Sequence, residues 1–475
     1  MKKQILICLI WIGVTTLTFA QPPSYDQKLG EDGAKQIATT IGLYEEEELT
    51  AYVSEVGNRL TRQLNNNPFV YQFFILDEPI PNAFALPGGY VYVTRGLLAL
   101  IDDVDQLACV MSHEIIHVHR RHSVRQMKRG FWPAVLQLPG LLIGAVAGED
   151  VGQIINTPIA VGSSFFEAKY SRKHETEADD LGVQLATRGG FDPNALSPIL
   201  ARITQWEEAR TERVEEKNYF SSHPYTPDRI QNLNDATAGL TVQLNEMHQQ
   251  SILDVLSDLP FGENPDKGIF FDSLFLHPVM DFSMVFPSGW TYINQHNAVG
   301  AMNETKDAFL FLMLADTAKS PEQHGIEVIE RAHNLNKKVK SESVQVNNRD
   351  AFLISTVEQV DGEEMHVHFI WIQYGDQVFK ITAIRSEDFK EGLKQASLSL
   401  HPLTPSDKAR LYQKRLTLVE SVDAESIAEL TARTNNVLSP NLLKILNGLP
   451  ADEDSIKGTV KVVSERPYFD ENSDD

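Results

Sequence analysis

The chain has 475 residues, 42% of them hydrophobic, which is more than a single core normally serves, since cores stop growing at about 250 to 300 residues. Its 65 acidic against 42 basic residues give a formal charge of −23, which favours solubility and argues against nucleic acid or anionic lipid as a generic partner.

At the N-terminus Lys2 and Lys3 precede an apolar run from Ile5 to Leu17, and Thr18 and Ala20 set small residues before Gln21. Residues 1–20 therefore read as a secretory signal cleaved after Ala20; the competing reading, an uncleaved anchor, suffers from a run that is short for a bilayer span. Cleavage removes two lysines and no acid, taking the charge to −25. It also removes Cys8 and leaves Cys109 without an intramolecular disulfide partner, so Cys109 reads as a small core residue.

Gly30 to Leu64 reads as helical, with Glu45 to Glu48 preceding Leu49, Val53, Val56 and Leu60 at helical spacing. Phe69 to Asp77 and Gly89 to Thr94 are aromatic and β-branched, hence strands. Two readings of Gly89, Tyr90 and Val91 stand side by side: an edge strand to which an extended peptide adds itself, or strands that merely close a small sheet.

Val110 to His122 reads V-M-S-H-E-I-I-H-V-H-R-R-H. His113 and His117, four apart, share one face of a helix and form a divalent-metal clamp. Glu114 falls beside the metal, where a carboxylate takes a proton from water. Val104, Leu107, Ala108, Met111, Ile115 and Val118 give the helix its apolar stripe, and Asp102, Asp103 and Asp105 suit its positive end. His119 and His122 read as exposed helix-end residues that suit the negative end.

A catalytic zinc site wants a third protein ligand from a separate element. Tyr170 to Gly182, Y-S-R-K-H-E-T-E-A-D-D-L-G, supplies the candidate: Glu175 reaches the metal while Asp179, four further on, orients a ligand histidine, and Glu177 points elsewhere. Between the two motifs, Phe131 to Ala147 is apolar but broken by Pro133, Pro139 and Gly140. It reads as a lid or core hairpin over the cleft, a membrane-surface contact, or a patch that recognises unfolded chains.

Ile199 to Lys217 is a charged helix, and Asp228, Arg229 and Ile230 open another. Turn formers from Leu259 to Lys267 mark a boundary. Beyond it Phe282–Phe286, Ala308–Leu314, Ala351–Gln359, His366–Tyr374 and Gln377–Ile384 read as antiparallel strands with a helix inserted at 321–336. Residues 415 to 463 read strand, helix, helix, strand, and 465–475 as an acidic, disordered tail.

H-E-I-I-H followed by S-R-K-H-E-T-E-A-D-D-L-G, with Asn82 to Leu98 before it and S-S-H-P-Y-T-P-D-R-I (Ser221 to Ile230) after it, resembles the gluzincin zinc metalloendopeptidases related to the CAAX prenyl protease, and among them the soluble periplasmic branch. The resemblance implies one zinc per chain held by His113, His117 and Glu175, Glu114 as general base, and His223 near the metal as a gate. It also favours the peptide-binding role for Gly89, Tyr90 and Val91. His223 and Arg229 are the candidate donors for a developing oxyanion. Residues 410–464 resemble a LysM module, although Asp423-Ala424-Glu425 stands where Gly-Asp is usual, and F-S-M-V-F-P-S-G-W resembles the opening of PsbP- or Mog-like domains.

The expected architecture is α+β and multidomain: a mainly helical zincin-type metalloprotease domain with a small β-sheet (21–260), an α+β antiparallel-sheet domain (266–402) and a LysM-like βααβ module (410–464). The expected function is a periplasmic endopeptidase acting on unfolded or misassembled envelope proteins, with membrane contact through Phe131 to Ala147 and cell-wall glycan binding through the LysM-like segment as further partner readings. The alternative is a gated or inactive homologue that binds such proteins as a chaperone does.

Overall fold

A computed structural model of the chain describes residues 23–127, 170–210, 219–224, 227–360, 363–385, 387, 389–423 and 425–469. The signal reading, the Phe131 to Ala147 stretch and the last six residues of the tail lie outside these. Among the described residues no helix is long and apolar enough to cross a membrane.

The N-terminal part is helical around a three-stranded sheet. Helices α1 (Pro23–Thr40) and α2 (Glu47–Thr61) come first, α2 capped by the Glu46 carboxylate on two backbone N–H groups. Strands β1 (Gln72–Leu76), β2 (Ala83–Leu86) and β3 (Tyr90–Thr94) then pair in the order β1-β3-β2, β1 parallel and β2 antiparallel to β3. A short helix α3 (Arg95–Leu100) leads into α4 (Val104–His119), and α5 (His122–Met127) follows. Later come α6 (Arg172–Gly189), α7 (Leu196–Ala209), a single turn at Tyr219–Ser222, and α8 (Pro227–Thr237). One apolar core joins α2, α3, α4, α6, α7 and the inner sheet face, through residues such as Val53, Leu97, Leu107, Met111, Val183 and Ile203.

The sheet order corrects the edge-strand reading of Gly89, Tyr90 and Val91. Strand β3 lies in the middle, Tyr90 and Val91 opposite Gln72 and Phe73 on one side and Leu86 and Ala85 on the other. The Gly89 carbonyl accepts from Gln72 N at 2.9 Å. Their backbone groups are spent within the sheet, so no peptide can add there. The edge strands are β1 and β2, and sequence alternation did not single out β2.

The second part, a separate antiparallel-sheet domain, has a seven-stranded sheet in the spatial order Val339–Val346, Arg349–Val360, Glu363–Tyr374, Gln377–Arg385, Ala308–Leu314, Ala298–Met302 and Thr291–Gln295, with neighbouring strands paired antiparallel. Helix Pro321–Asn334, entered through a capping box at Ser320, packs on one face with Val328 against Phe352 and Trp371. The other face is covered by a small sheet (Ile269–Phe271, Leu274–His277, Phe282–Val285) and by helix Lys390–Leu398, with Phe275, Phe282 and Leu393 in that core.

The last part runs strand Tyr412–Glu420, helices Ile427–Thr434 and Pro440–Leu446, and strand Thr459–Pro467, the two strands antiparallel. The pairing continues through Lys414–Glu465 to Tyr412–Pro467, and the Tyr468 hydroxyl donates to Asp266 Oδ1 at 2.6 Å. The start of the expected disordered tail is therefore ordered, because it has a partner strand that its acidic composition does not reveal. Leu416, Ile445, Leu446 and Val463 pack into the N-terminal core.

Candidate metal centre

Helix α4 starts where the Asp103 carboxylate accepts from Gln106 N at 2.8 Å, with Asp105 in its first turn. Nearly every residue from Val104 to Val118 is buried, so the helix is a core element and the side chains of its site face are held by packing on all others. Helix α6 crosses beside it, begun by Ser171 Oγ on His174 N and ended by Gly190 in the left-handed conformation (φ +80°) that glycine adopts without strain.

Four side chains converge between these helices and the turn at 219–224. His113 Nε2 lies 2.9 Å from His117 Nε2 and 3.2 Å from His223 Nδ1. Glu175 Oε1 is 3.2 Å from His223 Nδ1 and 3.4 Å from His117 Nε2. All four residues are buried, and the four ligand atoms lie within 4.8 Å of one another. A tetrahedral zinc with bonds of about 2.0 to 2.1 Å needs ligand atoms about 3.3 Å apart, so the set fits that ion in both donor type and spacing.

The electrostatics suit a cation. Burial pushes His117 well below its ordinary pKa, leaving the neutral imidazole a metal requires. Burial acts to raise Glu175, but His223, His117 and His113 outweigh it and hold the carboxyl well below its ordinary range. His223 is held above its ordinary value because Glu114 and Glu175 outweigh its burial.

Glu114 is fully buried, 3.4 Å from His223 Nε2 through Oε1, and neither of its oxygens has a hydrogen-bond partner among the described residues. Burial raises its pKa, and His223 and His113 oppose the rise. A carboxylate left without donors in a dry site is costly unless a proton or a ligand engages it.

Around the four lies an orienting layer. Asp179 Oδ1 sits 2.9 Å from His113 Nδ1, the far side of the ring from the cluster. Arg229 forks onto the same carboxylate, Nε to Oδ2 at 2.7 Å and a terminal nitrogen to Oδ1 at 2.9 Å, and its other terminal nitrogen is 3.2 Å from Glu175 Oε2. Arg229 thus lies against two carboxylates of α6 and braces that helix.

The structure brings together His113, Glu114, His117, Glu175, Asp179 and His223, and leaves Gly89, Tyr90 and Val91 inside the sheet. Three residues escaped sequence reasoning. His122, expected to be exposed, is fully buried with Nδ1 3.2 Å from His117 Nδ1. Tyr170 lays its ring 3.8 Å from that of His117, and Tyr219 stacks on His223 at 4.6 Å and 17°. The aromatic residue opening the Glu175 motif was the one available signal for Tyr170.

Residues 47–237 match the family described as Peptidase family M48. Over 192 residues the chain is 31% identical to the "Beta-barrel assembly-enhancing protease" of Escherichia coli K12, covering 40% of this chain and 39% of that protein. A "Putative beta-barrel assembly-enhancing protease" of Vibrio cholerae is 32% identical, covering 38% of each. The "Mitochondrial metalloendopeptidase OMA1" of Schizosaccharomyces pombe is 29% identical over 44% of this chain and 60% of its own. The match thus spans about two fifths of the length of the bacterial relatives.

Proposed function

We propose that this chain, which carries a Peptidase family M48 domain at residues 47–237, is a zinc-dependent endopeptidase of the cell envelope that hydrolyses peptide bonds in misfolded or misassembled secreted and outer-membrane proteins. The observation that carries this reading is Glu114: a buried, unpartnered carboxylate directly beside the His113–His117–Glu175–His223 cluster. A structural metal site has no use for a base at that position. The names of the relatives, two of them beta-barrel assembly-enhancing proteases, support envelope substrates.

In this reading His113, His117 and Glu175 hold the ion. Zinc, when bound, supplies a Lewis acid that polarises a peptide carbonyl and lowers the pKa of water toward about 7. Glu114, its pKa raised by burial, accepts a proton from the attacking water and returns it to the leaving amine. Asp179 Oδ1, 2.9 Å from His113 Nδ1, favours the tautomer that carries its proton there and offers Nε2 to the ion. His223 lies near enough to Glu114 and the cluster to donate to a developing oxyanion once it turns away from Glu175.

A second reading follows from the same histidine. His223 Nδ1 stands in the fourth corner of the cluster, so the arrangement is a closed one with four protein donors. Such a chain binds unfolded envelope proteins and cuts only when His223 swings out. The C-terminal βααβ order supports a LysM-like docking role, with glycan binding as its partner chemistry, and export by residues 1–20 accords with a periplasmic location.

The test is cleavage of casein by the mature chain beside Glu114→Gln, with zinc content measured on both. The protease reading requires cleavage that falls by about 100-fold or more in Glu114→Gln while zinc stays bound. If the unmutated chain holds zinc and cuts nothing, cleavage by His223→Ala identifies a gated protease. Silence in both leaves the chaperone-like binder.

A further inference from the structure

We infer that His122 is the positioning residue of His117, the central link of a relay His117–His122–Glu177 that fixes the tautomer and the angle of that ring. The inference rests on the reading of His117 as a metal ligand.

The geometry starts with a backbone reversal. Helix α4 ends at His119, and Arg121 takes a left-handed conformation (φ +54°) that non-glycine residues seldom adopt. The Arg121 guanidinium is held by a two-pronged pair with Asp26 of α1, both contacts 2.6 Å, and its backbone N–H donates to Val118 O at 2.8 Å. This turn starts α5 at His122 and folds its imidazole back onto His117, a contact that five-residue spacing on a continuous helix would not give.

The hydrogens of the relay follow by elimination. The two Nδ1 atoms are 3.2 Å apart and share one proton if they bond. His117 turns Nε2 toward Glu175 and His113, so a neutral ring that offers its Nε2 lone pair there carries its proton on Nδ1 and donates it to His122. His122 accepts on Nδ1 and therefore carries its own proton on Nε2, which faces Glu177 Oε2 at 3.3 Å. Glu177 is a lone-pair terminus: its other oxygen accepts from Arg120 Nε at 2.5 Å. Every donor along the relay meets an acceptor.

Packing removes the remaining freedom. The His122 ring stacks on His174 of α6 with centroids 4.4 Å apart and planes within 7°. It stands edge-on to His117 at 4.9 Å and 83°. His122 is thus a wedge between α4, α5 and α6, and the two candidate ligand histidines are oriented by unlike means. His113 Nδ1 lies directly against the Asp179 carboxylate at 2.9 Å, whereas His117 reaches a carboxylate through a neutral imidazole.

The experiment is zinc affinity by chelator competition on the mature chain, together with the visible absorption of the cobalt-substituted protein, which reports ligand angle without catalysis. His122→Leu keeps bulk and loses both hydrogen bonds; it is expected to weaken zinc binding about 10- to 100-fold and to shift the cobalt bands. His122→Gln can accept from His117 and donate to Glu177, and is expected to recover most of both. Glu177→Gln, at a more exposed site that tolerates change, is expected to move both readouts the same way by less. Unaltered affinity and spectrum in His122→Leu and Glu177→Gln, with zinc on the unmutated chain, would overturn this inference and leave the metal-centre reading standing. An unmutated chain that takes up no zinc would overturn both together. Should His122→Leu not fold, Glu177→Gln decides: unchanged readouts there count against the relay.

Discussion

The Lys461 ammonium lies 2.8 Å from the Asp102 carboxylate, two residues ahead of the helix that carries His113 and His117. It also donates to the backbone carbonyls of Ala99 and Ile101, both at 3.0 Å, so its three hydrogens find three acceptors in a fully buried cradle. The other Asp102 oxygen pairs with Arg202 of α7. The C-terminal βααβ unit is thereby fastened to the segment from which the metal helix starts. Lys461→Met removes one partner of this pair and is expected to cost about 3 kcal/mol, seen as a lower unfolding midpoint and as faster proteolytic nicking between the two parts. Lys461→Arg should not rescue, because a planar guanidinium does not fit a cradle sized for an ammonium. Unchanged midpoints in both variants would show that the pair carries no net stability.

Asp179→Asn tests the orienting layer on α6. The carboxylate serves His113 on one side and the Arg229 fork on the other, and the amide keeps the shape while losing the charge. The expected outcome is a fall of about 10- to 100-fold in zinc affinity, with Arg229 left buried against a neutral partner and a modest loss of thermal stability. Isothermal titration with zinc on both proteins decides it.

Glu207 on α7 gives a pH signature well away from the metal cluster. Burial, with the neighbouring charge of Glu208, raises its pKa to about 8, against an ordinary value near 4.5. Below pH 4.5 folded and unfolded chains both hold the proton. Between about 4.5 and 8 the unfolded chain releases it and the folded chain keeps it, so this group lowers stability as pH rises through that window. Glu207→Gln should therefore leave stability unchanged at pH 4 and raise it at pH 8 by about 2 kcal/mol, less than the full shift because the side chain is partly exposed. Denaturant midpoints at the two pH values provide the check, and an equal effect at both would refute the titration.

What could be read from the sequence was what the chain writes locally. His113, Glu114 and His117 fall on one helix, and Glu175 and Asp179 on another, each at a spacing that geometry converts into a shared face. The relations that escaped are those set by tertiary position. The middle place of β3 depends on β2, four residues long and wholly buried, with no alternation to announce it. The burial of His122 depends on Arg121 leaving the helical conformation under the pull of Asp26, almost a hundred residues earlier. Lys461 meets Asp102 from the far end of the chain, and nothing in the K-G-T-V-K-V-V phrase distinguishes it from a surface lysine.

Gly182 offers the last test, because it sets how closely the two motif helices approach. A Cβ built there would lie 3.3 Å from both the Cα and the backbone N of His113, tighter than ordinary packing and against backbone that cannot turn aside. Gly182→Ala needs a shift of a few tenths of an ångström, whereas Gly182→Val adds two methyl groups and must push α6 away from α4. Since α6 holds Glu175 and Asp179 and α4 holds His113 and His117, that push opens the cluster along its long axis. The expected order of zinc affinity is therefore glycine, then alanine within about 10-fold, then valine at least about 100-fold weaker, while helicity by circular dichroism stays constant. Valine affinity equal to that of glycine would mean that the helices are not in register through this contact.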